Sequence, residues 1–352
     1  MAKILMKGNE AIGKAAIVAG CKCFFGYPIT PQNEIPEYLS HALPKAGGSF
    51  VQAESEVAAI NMLYGAAGTG TRCLTSSSSP GIALKQEGIT YMAGAEVPGV
   101  IMNLMRGGPG LGGIQAAQSD YNMCVKGGGN GDYRVPSYAP ASVQEAVDLT
   151  IDCFDLADHY RTPVMLLADG IIGQMMEPVS FDNVTPRAER DKSSWATTGT
   201  KGQRKPNVIN SLFLAAEDLE VHNHHLFKKY AEIEEKEQRA ELYLCDDADM
   251  VFAAYGTTSR IVRNVVDQLR EEGHKVGLFR PITLWPFPKK ALSTLKPGRK
   301  ILTVEMSMGQ MVEDIKLYSE CKHEISFFGR TGGVIPAPAE IYEKAKEILG
   351  GK

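Results

Sequence analysis

Cysteine is scarce in this chain: there are seven residues in 352, and no Cys-x-x-Cys pair. An odd number scattered among apolar neighbours does not make a disulfide framework and is typical of a reducing compartment. An iron–sulfur cluster needs about four cysteines, and the usual ferredoxin spacing is missing. The sequence therefore predicts a cytoplasmic chain that carries no cluster of its own.

Excess positive charge and long apolar runs are also missing. The net charge is −4, with no basic run, which argues against nucleic acid or an anionic membrane as a partner. The apolar runs are strand-sized and fall short of the ~20 residues that a membrane span needs. The first ten residues become charged too quickly for a secretory signal.

Strands and helices alternate along the first part of the chain. Apolar strands are predicted at 21–25, 71–77, 99–105 and 163–168, separated by helical segments. This alternation predicts an α/β fold with a doubly wound, mainly parallel sheet, over residues 1–178.

The composition changes after this first domain. Residues 179–240 begin with an irregular polar segment and continue as a charged helix, predicted at 217–239, which we interpret as a connecting arm. Three histidines lie on that helix (His222, His224 and His225), but a metal site would need more converging ligands, so we predict none. The α/β pattern resumes in a smaller domain, residues 241–352, with a loop and helix cap predicted at 256–259.

Four motifs follow one another in the first domain. They are the loop Gly-Tyr-Pro-Ile-Thr-Pro (26–31), an Ala-rich helix that begins with Ser55-Glu56, the run Thr-Ser-Ser-Ser-Ser-Pro-Gly (75–81) and Met-Arg-Gly-Gly-Pro-Gly (105–110). Three of them lie where a predicted strand ends, and ligands of open α/β sheets gather at such ends.

Together these motifs resemble the first domain of the 2-oxoacid:ferredoxin oxidoreductases, in the family's order. The resemblance extends over nearly the whole chain and is strongest to the large, or alpha, subunit of the branched-chain type. The smaller domain resembles the C-terminal domain of transketolases. The resemblance implies a CoA-acylating enzyme that oxidatively decarboxylates a 2-oxoacid with thiamine diphosphate and passes electrons to ferredoxin. The substrate it implies first is 3-methyl-2-oxobutanoate; 2-oxoglutarate is the alternative.

Glu56 matches the family's catalytic glutamate, whose carboxyl hydrogen-bonds the aminopyrimidine of the cofactor. It shares a helical face with Ala59, Ile60 and Leu63, where burial favours a neutral carboxyl. An acidic residue in a first helical turn is also ordinary, because it suits the helix dipole. Glu54, two residues earlier, is the competing candidate.

Arg106 and Thr30 match the family's substrate-binding residues. The fork of an arginine fits a carboxylate, and Arg106 stands at a strand end before glycines. A structural ion pair is the alternative for Arg106. Thr30 could bond the substrate through its hydroxyl or cap a helix beginning near Gln32.

The metal-binding Gly-Asp-Gly motif of thiamine enzymes is missing, since Asp132 and Asp169 lack that frame. The resemblance therefore implies that thiamine diphosphate is shared with a diphosphate-binding beta subunit. Mg²⁺ and an iron–sulfur cluster are expected on partner subunits, among them a gamma and a ferredoxin-like subunit. The chain is also expected to homodimerise within the complex.

Two other classes of function remain to be weighed. Residues 108–113 contain Gly-x-Gly-x-x-Gly, which would suit an NAD-linked dehydrogenase, but Pro109 interrupts the turn and no acidic residue follows at the expected ~20-residue distance. A non-catalytic scaffold subunit is the second alternative, and the presence of the Glu56 and Arg106 motifs argues against it.

Overall fold

The structure, a computed structural model, describes residues 3–182 and 190–350. Its strands are β1 (Ile4–Lys7), β2 (Cys23–Gly26), β3 (Ser49–Gln52), β4 (Cys73–Ser77), β5 (Gly99–Met105), β6 (Ser137–Tyr138), β7 (Pro163–Asp169), β8 (Met176–Val179), β9 (Ala240–Tyr243), β10 (Met250–Ala253), β11 (Val276–Pro281), β12 (Thr283–Trp285), β13 (Lys300–Glu305) and β14 (Glu324–Gly329). Its helices are α1 (Gly8–Val18), α2 (Glu34–Lys45), α3 (Glu56–Gly68), α4 (Ser79–Gly94), α5 (Tyr121–Val125), α6 (Val143–Tyr160), α7 (Gly170–Gln174), α8 (Ala216–Lys236), α9 (Gly256–Glu271), α10 (Lys289–Leu292), α11 (Met311–Tyr318) and α12 (Pro338–Gly350).

The large sheet has the strand order β12-β6-β7-β5-β4-β2-β3. All its pairings are parallel except that of β12 with β6. Because parallel crossovers are right-handed, the helices α2 and α6 lie on one face and α3 and α4 on the other. The predicted doubly wound α/β fold is therefore confirmed.

The direction of winding reverses between β2 and β4, two adjacent strands. From β2 the chain moves outward through α2 to β3, whereas from β4 it moves through α4 to β5 in the opposite direction. This reversal makes the carboxyl ends of β2 and β4 the switch point of the sheet, where open α/β sheets bind their ligands.

The small sheet has the order β14-β13-β10-β11-β9, with only β9 antiparallel to its neighbour. A compact apolar core lies between this sheet and the helices α9 and α12. One strand of the smaller domain does not belong to the small sheet. It is β12, which pairs with β6 at the edge of the large sheet.

The predicted loop at 256–259 is wrong, since α9 begins at Gly256 itself. A tertiary contact takes the place of a local cap. The Asp169 carboxylate accepts hydrogen bonds from the Thr257 hydroxyl at 2.8 Å and from the Thr257 backbone N–H at 3.3 Å. Helix α4 begins at Ser79, within the Ser-rich run that follows β4.

The helix α8 lies on the first domain and buries Leu226, Tyr230 and Ile233. His222 bonds the carbonyl of Gly94 at 2.6 Å. In the described parts of the chain, no group of three or more acidic, histidine or cysteine side chains could hold a metal. No helix within residues 3–182 and 190–350 is long and apolar enough to cross a membrane.

Candidate active site

Glu56 lies at the start of α3, on the side of that helix that faces α4. Its side chain is only 7% exposed, yet its carboxylate has no hydrogen bond to any described residue. A Cβ at Gly81 would collide with the Ser77 hydroxyl and lie 2.7 Å from the Glu56 Oε1 atom. The glycine at 81 thus leaves the room that the buried carboxyl occupies.

Glu54 is not an equivalent candidate. It lies in the turn before α3 and is exposed, whereas Ser55 is the N-cap of α3 and accepts the Ala58 N–H at 3.1 Å. A cap at Ser55 makes Glu56 the first helical residue and turns its carboxyl toward the interior, while Glu54 points to solvent.

A buried lysine, which the sequence analysis overlooked, shares this environment. Lys85 is fully buried on α4, one helical turn after Gly81, and its amine donates to the Thr75 hydroxyl at 2.6 Å and the Ser76 carbonyl at 3.1 Å. Burial lowers the pKa of the Lys85 amine to about 7, and the charge of Glu56 opposes that fall. The i, i+4 spacing from Gly81 could have revealed it, because those positions share a helical face.

Arg106 follows β5 directly and is 6% exposed. Its guanidinium donates to two backbone carbonyls, those of Thr30 and Leu111, each at 3.0 Å. Its Nε–H is buried and has no partner among the described residues. Buried donors are nearly always paired, so the unpaired Nε–H is unusual, and the two bonded amino groups hold the fork against the loops of the site.

Thr30 stands in the loop that follows β2, and its side chain is exposed. It does not cap the next helix, because α2 begins at Glu34 and its N-cap position is Asn33. The carbonyl of Thr30 binds Arg106, which brings two of the three predicted site residues together at the switch point. The third, Glu56, belongs to the neighbouring helix.

Ser79, Asn103 and Asp120 form a buried polar group behind Arg106 that motif matching did not identify. The Ser79 hydroxyl donates to the Asp120 carboxylate at 2.5 Å and accepts the Arg106 N–H at 3.0 Å. Asn103 donates to the same Asp120 oxygen at 3.0 Å. Burial raises the pKa of Asp120, while these two hydrogen bonds and the charge of Arg106 act in the opposite direction. An isolated Asp in a loop carries no periodic signal, so only the fold reveals this group.

A cleft of about 730 Å³ opens beside these residues. Ser79, Pro80 and Asp120 line it from the first domain, together with the glycine loop 108–110. Met308, Gln310 and Thr331 line it from the small domain. The cleft is therefore a space between the two domains that a small molecule could enter.

Gln118 holds the two domains against each other next to this cleft. Its backbone N–H donates to the Met306 carbonyl at 2.8 Å and its amide donates to the Tyr255 carbonyl at 2.9 Å. The Thr258 hydroxyl donates to the Gln118 amide oxygen at 2.7 Å. The side-chain amide of Gln118 thus both donates and accepts a hydrogen bond across the domain contact.

The glycine loop does not have the geometry of a dinucleotide site. After β5 the chain turns back on itself, since the Gly113 N–H donates to the Gly107 carbonyl at 2.9 Å, and the next helix begins only at Tyr121. A pyrophosphate site of that type needs a helix N-terminus directly after the glycines. This geometry argues against the NAD-linked alternative.

The residues present fit the aminopyrimidine end of thiamine diphosphate and not its diphosphate end. Glu56 is a buried residue whose carboxylate accepts no hydrogen bond from a described residue. Asp169 is committed to the N-terminus of α7 and to Thr257, and Asp132 lies in an exposed loop. Among the described residues, nothing forms a cluster that could hold the metal of the diphosphate.

Two family models match the chain. The first, pyruvate flavodoxin/ferredoxin oxidoreductase, thiamine diphosphate-binding, matches residues 14–242. The second, pyruvate:ferredoxin oxidoreductase core domain II, matches residues 248–341.

Curated relatives match over almost their full length. The chain is 50% identical over 351 residues to the ketoisovalerate oxidoreductase subunit VorB of Methanothermobacter thermautotrophicus, covering 99% of both chains. It is 35% identical over 371 residues to the 2-oxoglutarate synthase subunit KorA of Methanocaldococcus jannaschii, covering 98% of this chain and 99% of the relative.

Two solved structures share the fold. The 2-oxoglutarate:ferredoxin oxidoreductase of Magnetococcus marinus, with 2-oxoglutarate, coenzyme A and succinyl-CoA bound, superposes with a TM-score of 0.87 at 26% identity. The match covers 98% of this chain but 65% of that one. A split-gene transketolase, described as an inactive beta4 tetramer, gives a TM-score of 0.60 at 11% identity, with 98% of each chain covered, and shows the likeness of fold alone.

Proposed function

This chain belongs to the 2-oxoacid:ferredoxin oxidoreductase family, and from that membership we propose that it supplies the pyrimidine half of a shared thiamine diphosphate site. The whole enzyme oxidatively decarboxylates 3-methyl-2-oxobutanoate, transfers the acyl group to coenzyme A and sends the electrons to ferredoxin. Partner subunits hold the diphosphate with Mg²⁺ and carry the iron–sulfur cluster, so the chain alone has an incomplete active site.

The observation that carries this proposal is the carboxyl of Glu56. It is buried, has no hydrogen bond to a described residue, and begins the helix beside the switch point of the sheet. A carboxyl at this position, with no partner of its own, is suited to hydrogen-bond N1′ of the aminopyrimidine. Bound thiamine diphosphate supplies the electron sink for the carbon–carbon cleavage.

Arg106 and Thr30 bind the substrate in this scheme. The guanidinium of Arg106 is fixed by two backbone carbonyls and has no ion-pair partner among the described residues, so its charge remains available to the carboxylate that every 2-oxoacid carries. Thr30 is exposed and its backbone carbonyl bonds the same fork, and in this scheme its hydroxyl donates to an oxygen of the substrate.

Proton exchange at C2 of the bound cofactor tests the role of Glu56 directly. In the complex reconstituted with its partner subunits, Glu56→Gln should slow this exchange by roughly 10²- to 10⁴-fold, the range of a positioned proton transfer. Glu54→Gln is the matched control, because the exposed carboxyl lies two residues away and its loss should leave exchange unchanged. Slow exchange in Glu54→Gln with normal exchange in Glu56→Gln would assign the role to Glu54 instead.

A substrate panel tests the choice of 2-oxoacid. The value of kcat/KM for 3-methyl-2-oxobutanoate should exceed those for 2-oxoglutarate and pyruvate in the same complex. The proposal follows the relative with 50% identity, and a preference for 2-oxoglutarate would favour the function of the 35% relative.

A further inference from the structure

We propose that Asp120 is a positioning residue for substrate binding, whose carboxylate holds the backbone of Arg106 in place through the hydroxyl of Ser79. The inference rests on the proposed role of Arg106. It adds two residues behind the substrate-binding fork to those that the motifs identified.

A continuous run of hydrogen bonds connects the two residues. The backbone N–H of Arg106 donates to the Ser79 hydroxyl at 3.0 Å. That hydroxyl has one proton, and its nearest acceptor is the Asp120 Oδ2 atom at 2.5 Å, nearer than the Arg106 carbonyl at 3.2 Å. Because an ionised acceptor orients a hydroxyl strongly, the carboxylate directs the oxygen lone pair of Ser79 toward Arg106.

Asn103 fixes the same serine from a second side. Its side-chain oxygen accepts the Ser79 N–H at 3.2 Å and its amide donates to Asp120 at 3.0 Å. Ser79 needs this support, since its φ of +22° is one that residues with a side chain rarely adopt. Strained backbone persists only where its surroundings hold it, and it gathers at functional sites.

The placement of Asp120 keeps the fork of Arg106 available. Asp120 is 8% exposed, and the charge of Arg106 acts on it, but no ion pair joins the two side chains within the described residues. Cys124 and Tyr255 are the other titratable groups that sense the Asp120 charge. The carboxylate therefore balances the positive charge of Arg106 without occupying the donors that a substrate needs.

Ser79→Ala and Asp120→Asn test this arrangement in the reconstituted complex. Each should raise the KM for the 2-oxoacid roughly 10-fold, the range of one hydrogen bond to a charged group, with kcat changed far less. Proton exchange at C2 of the cofactor, measured without substrate, should stay at the wild-type rate, because Glu56 is untouched. Binding of a non-reacting 2-oxoacid analogue should weaken by the same factor as KM rises.

Ser78→Ala is the matched control. Ser78 is also buried, and its hydroxyl donates one hydrogen bond to the Leu104 carbonyl at 2.7 Å, which the alanine variant would lose. That hydroxyl has no hydrogen bond to Arg106 or Asp120 within the described residues. If Ser79→Ala raises KM no more than Ser78→Ala does, the inference is wrong. Should Asp120→Asn fail to fold, the two serine variants still decide the question.

Arg106→Lys separates this inference from the proposed function. If Arg106→Lys raises KM and the Ser79 and Asp120 variants do not, only the positioning role is lost. If Arg106→Lys leaves KM unchanged as well, the proposed substrate role of Arg106 itself fails.

Discussion

Two buried arginines stand at opposite ends of the large sheet and differ in how they are paired. Arg72 precedes β4 and is 8% exposed. It donates to Asp158 at 2.8 Å, to Asp155 at 2.7 Å and to the Ala19 carbonyl at 2.6 Å. Arg106 follows β5 and is just as buried, but among the described residues its side chain bonds only uncharged carbonyls, and its Nε–H is unpaired.

The difference separates a structural charge from one held ready for a ligand. A buried charge is costly unless it is paired, so the two carboxylates around Arg72 complete a site that needs nothing more. Within residues 3–182 and 190–350 Arg106 has no ion-pair partner, and its charge acts on Asp120 without a direct contact. An anion that reaches its fork therefore gains a charge-assisted hydrogen bond. Two equally buried arginines can thus differ in function, and the presence or absence of carboxylate partners is what distinguishes them.

The same contrast extends to the lysines at the two ends. Lys192 pairs with Asp158 at 2.7 Å and completes the closed cluster around Arg72. Lys85, at the open end, bonds only a hydroxyl and a carbonyl, and the carboxylate that acts on it belongs to Glu56.

Arg72→Met should have the largest effect of the variants that probe this contrast, and the effect should be on stability. Removing one partner leaves Asp155 and Asp158 buried without their main counter-ion, which typically costs about 3–5 kcal/mol. Denaturant unfolding of the purified chain would show this loss. The folded fraction should retain the wild-type KM in the complex, and a KM raised as in Arg106→Lys would contradict the structural assignment.

Arg106→Lys should show the converse pattern. The lysine keeps the charge but loses the fork, so kcat/KM for every 2-oxoacid should fall roughly 10- to 100-fold. The free energy of unfolding should change by less than about 1 kcal/mol, since no ion pair is broken. Cofactor C2 exchange without substrate should persist. An unfolded variant would show that Arg106, too, is structural.

Lys85→Met should change how stability depends on pH, with little effect at any one pH near 7. The folded-state pKa of Lys85 is about 7, below its value in an unfolded chain, so the unfolded chain binds more protons between these two values. Wild-type stability therefore gains from this group as pH rises through that window, by at most about 1.4 kcal/mol per pH unit. The variant lacks this gain.

The unfolding free energies of the wild type and of Lys85→Met would be measured at pH 7 and pH 9. The change between the two pH values in the wild type, minus the change in the variant, gives the contribution of Lys85, because the other titrating groups cancel. In a Glu56→Gln background the window should begin at a lower pH, because the Glu56 charge raises the pKa of Lys85. An unchanged window would mean that the two side chains do not interact across the α3–α4 contact.

Much of the site could be predicted from local sequence. The helical face of Glu56, the strand end before Arg106 and the stiff loop around Thr30 are all local features, and in the structure Glu56 and Arg106 are buried while Thr30 is exposed. Asp120 was missed, because nothing in its own segment distinguishes a buried charge from a solvated one. The only local signal of Lys85 is its i, i+4 spacing from Gly81, and the sequence analysis overlooked that spacing. The start of α9 was also missed, since its cap comes from Asp169, 88 residues earlier in the chain.

The sequence by itself determined the α/β alternation, the family motifs and the order in which they occur. Those features depend on periodicity and turn chemistry over a few residues. Only the tertiary structure decided that β2 and β4 are neighbours at the switch point and that Arg72 is paired while Arg106 is not. The carboxylates that pair with Arg72 lie 83 and 86 residues away along the chain. Whether a buried charge has such a partner depends on how distant segments pack, and no local pattern contains that information.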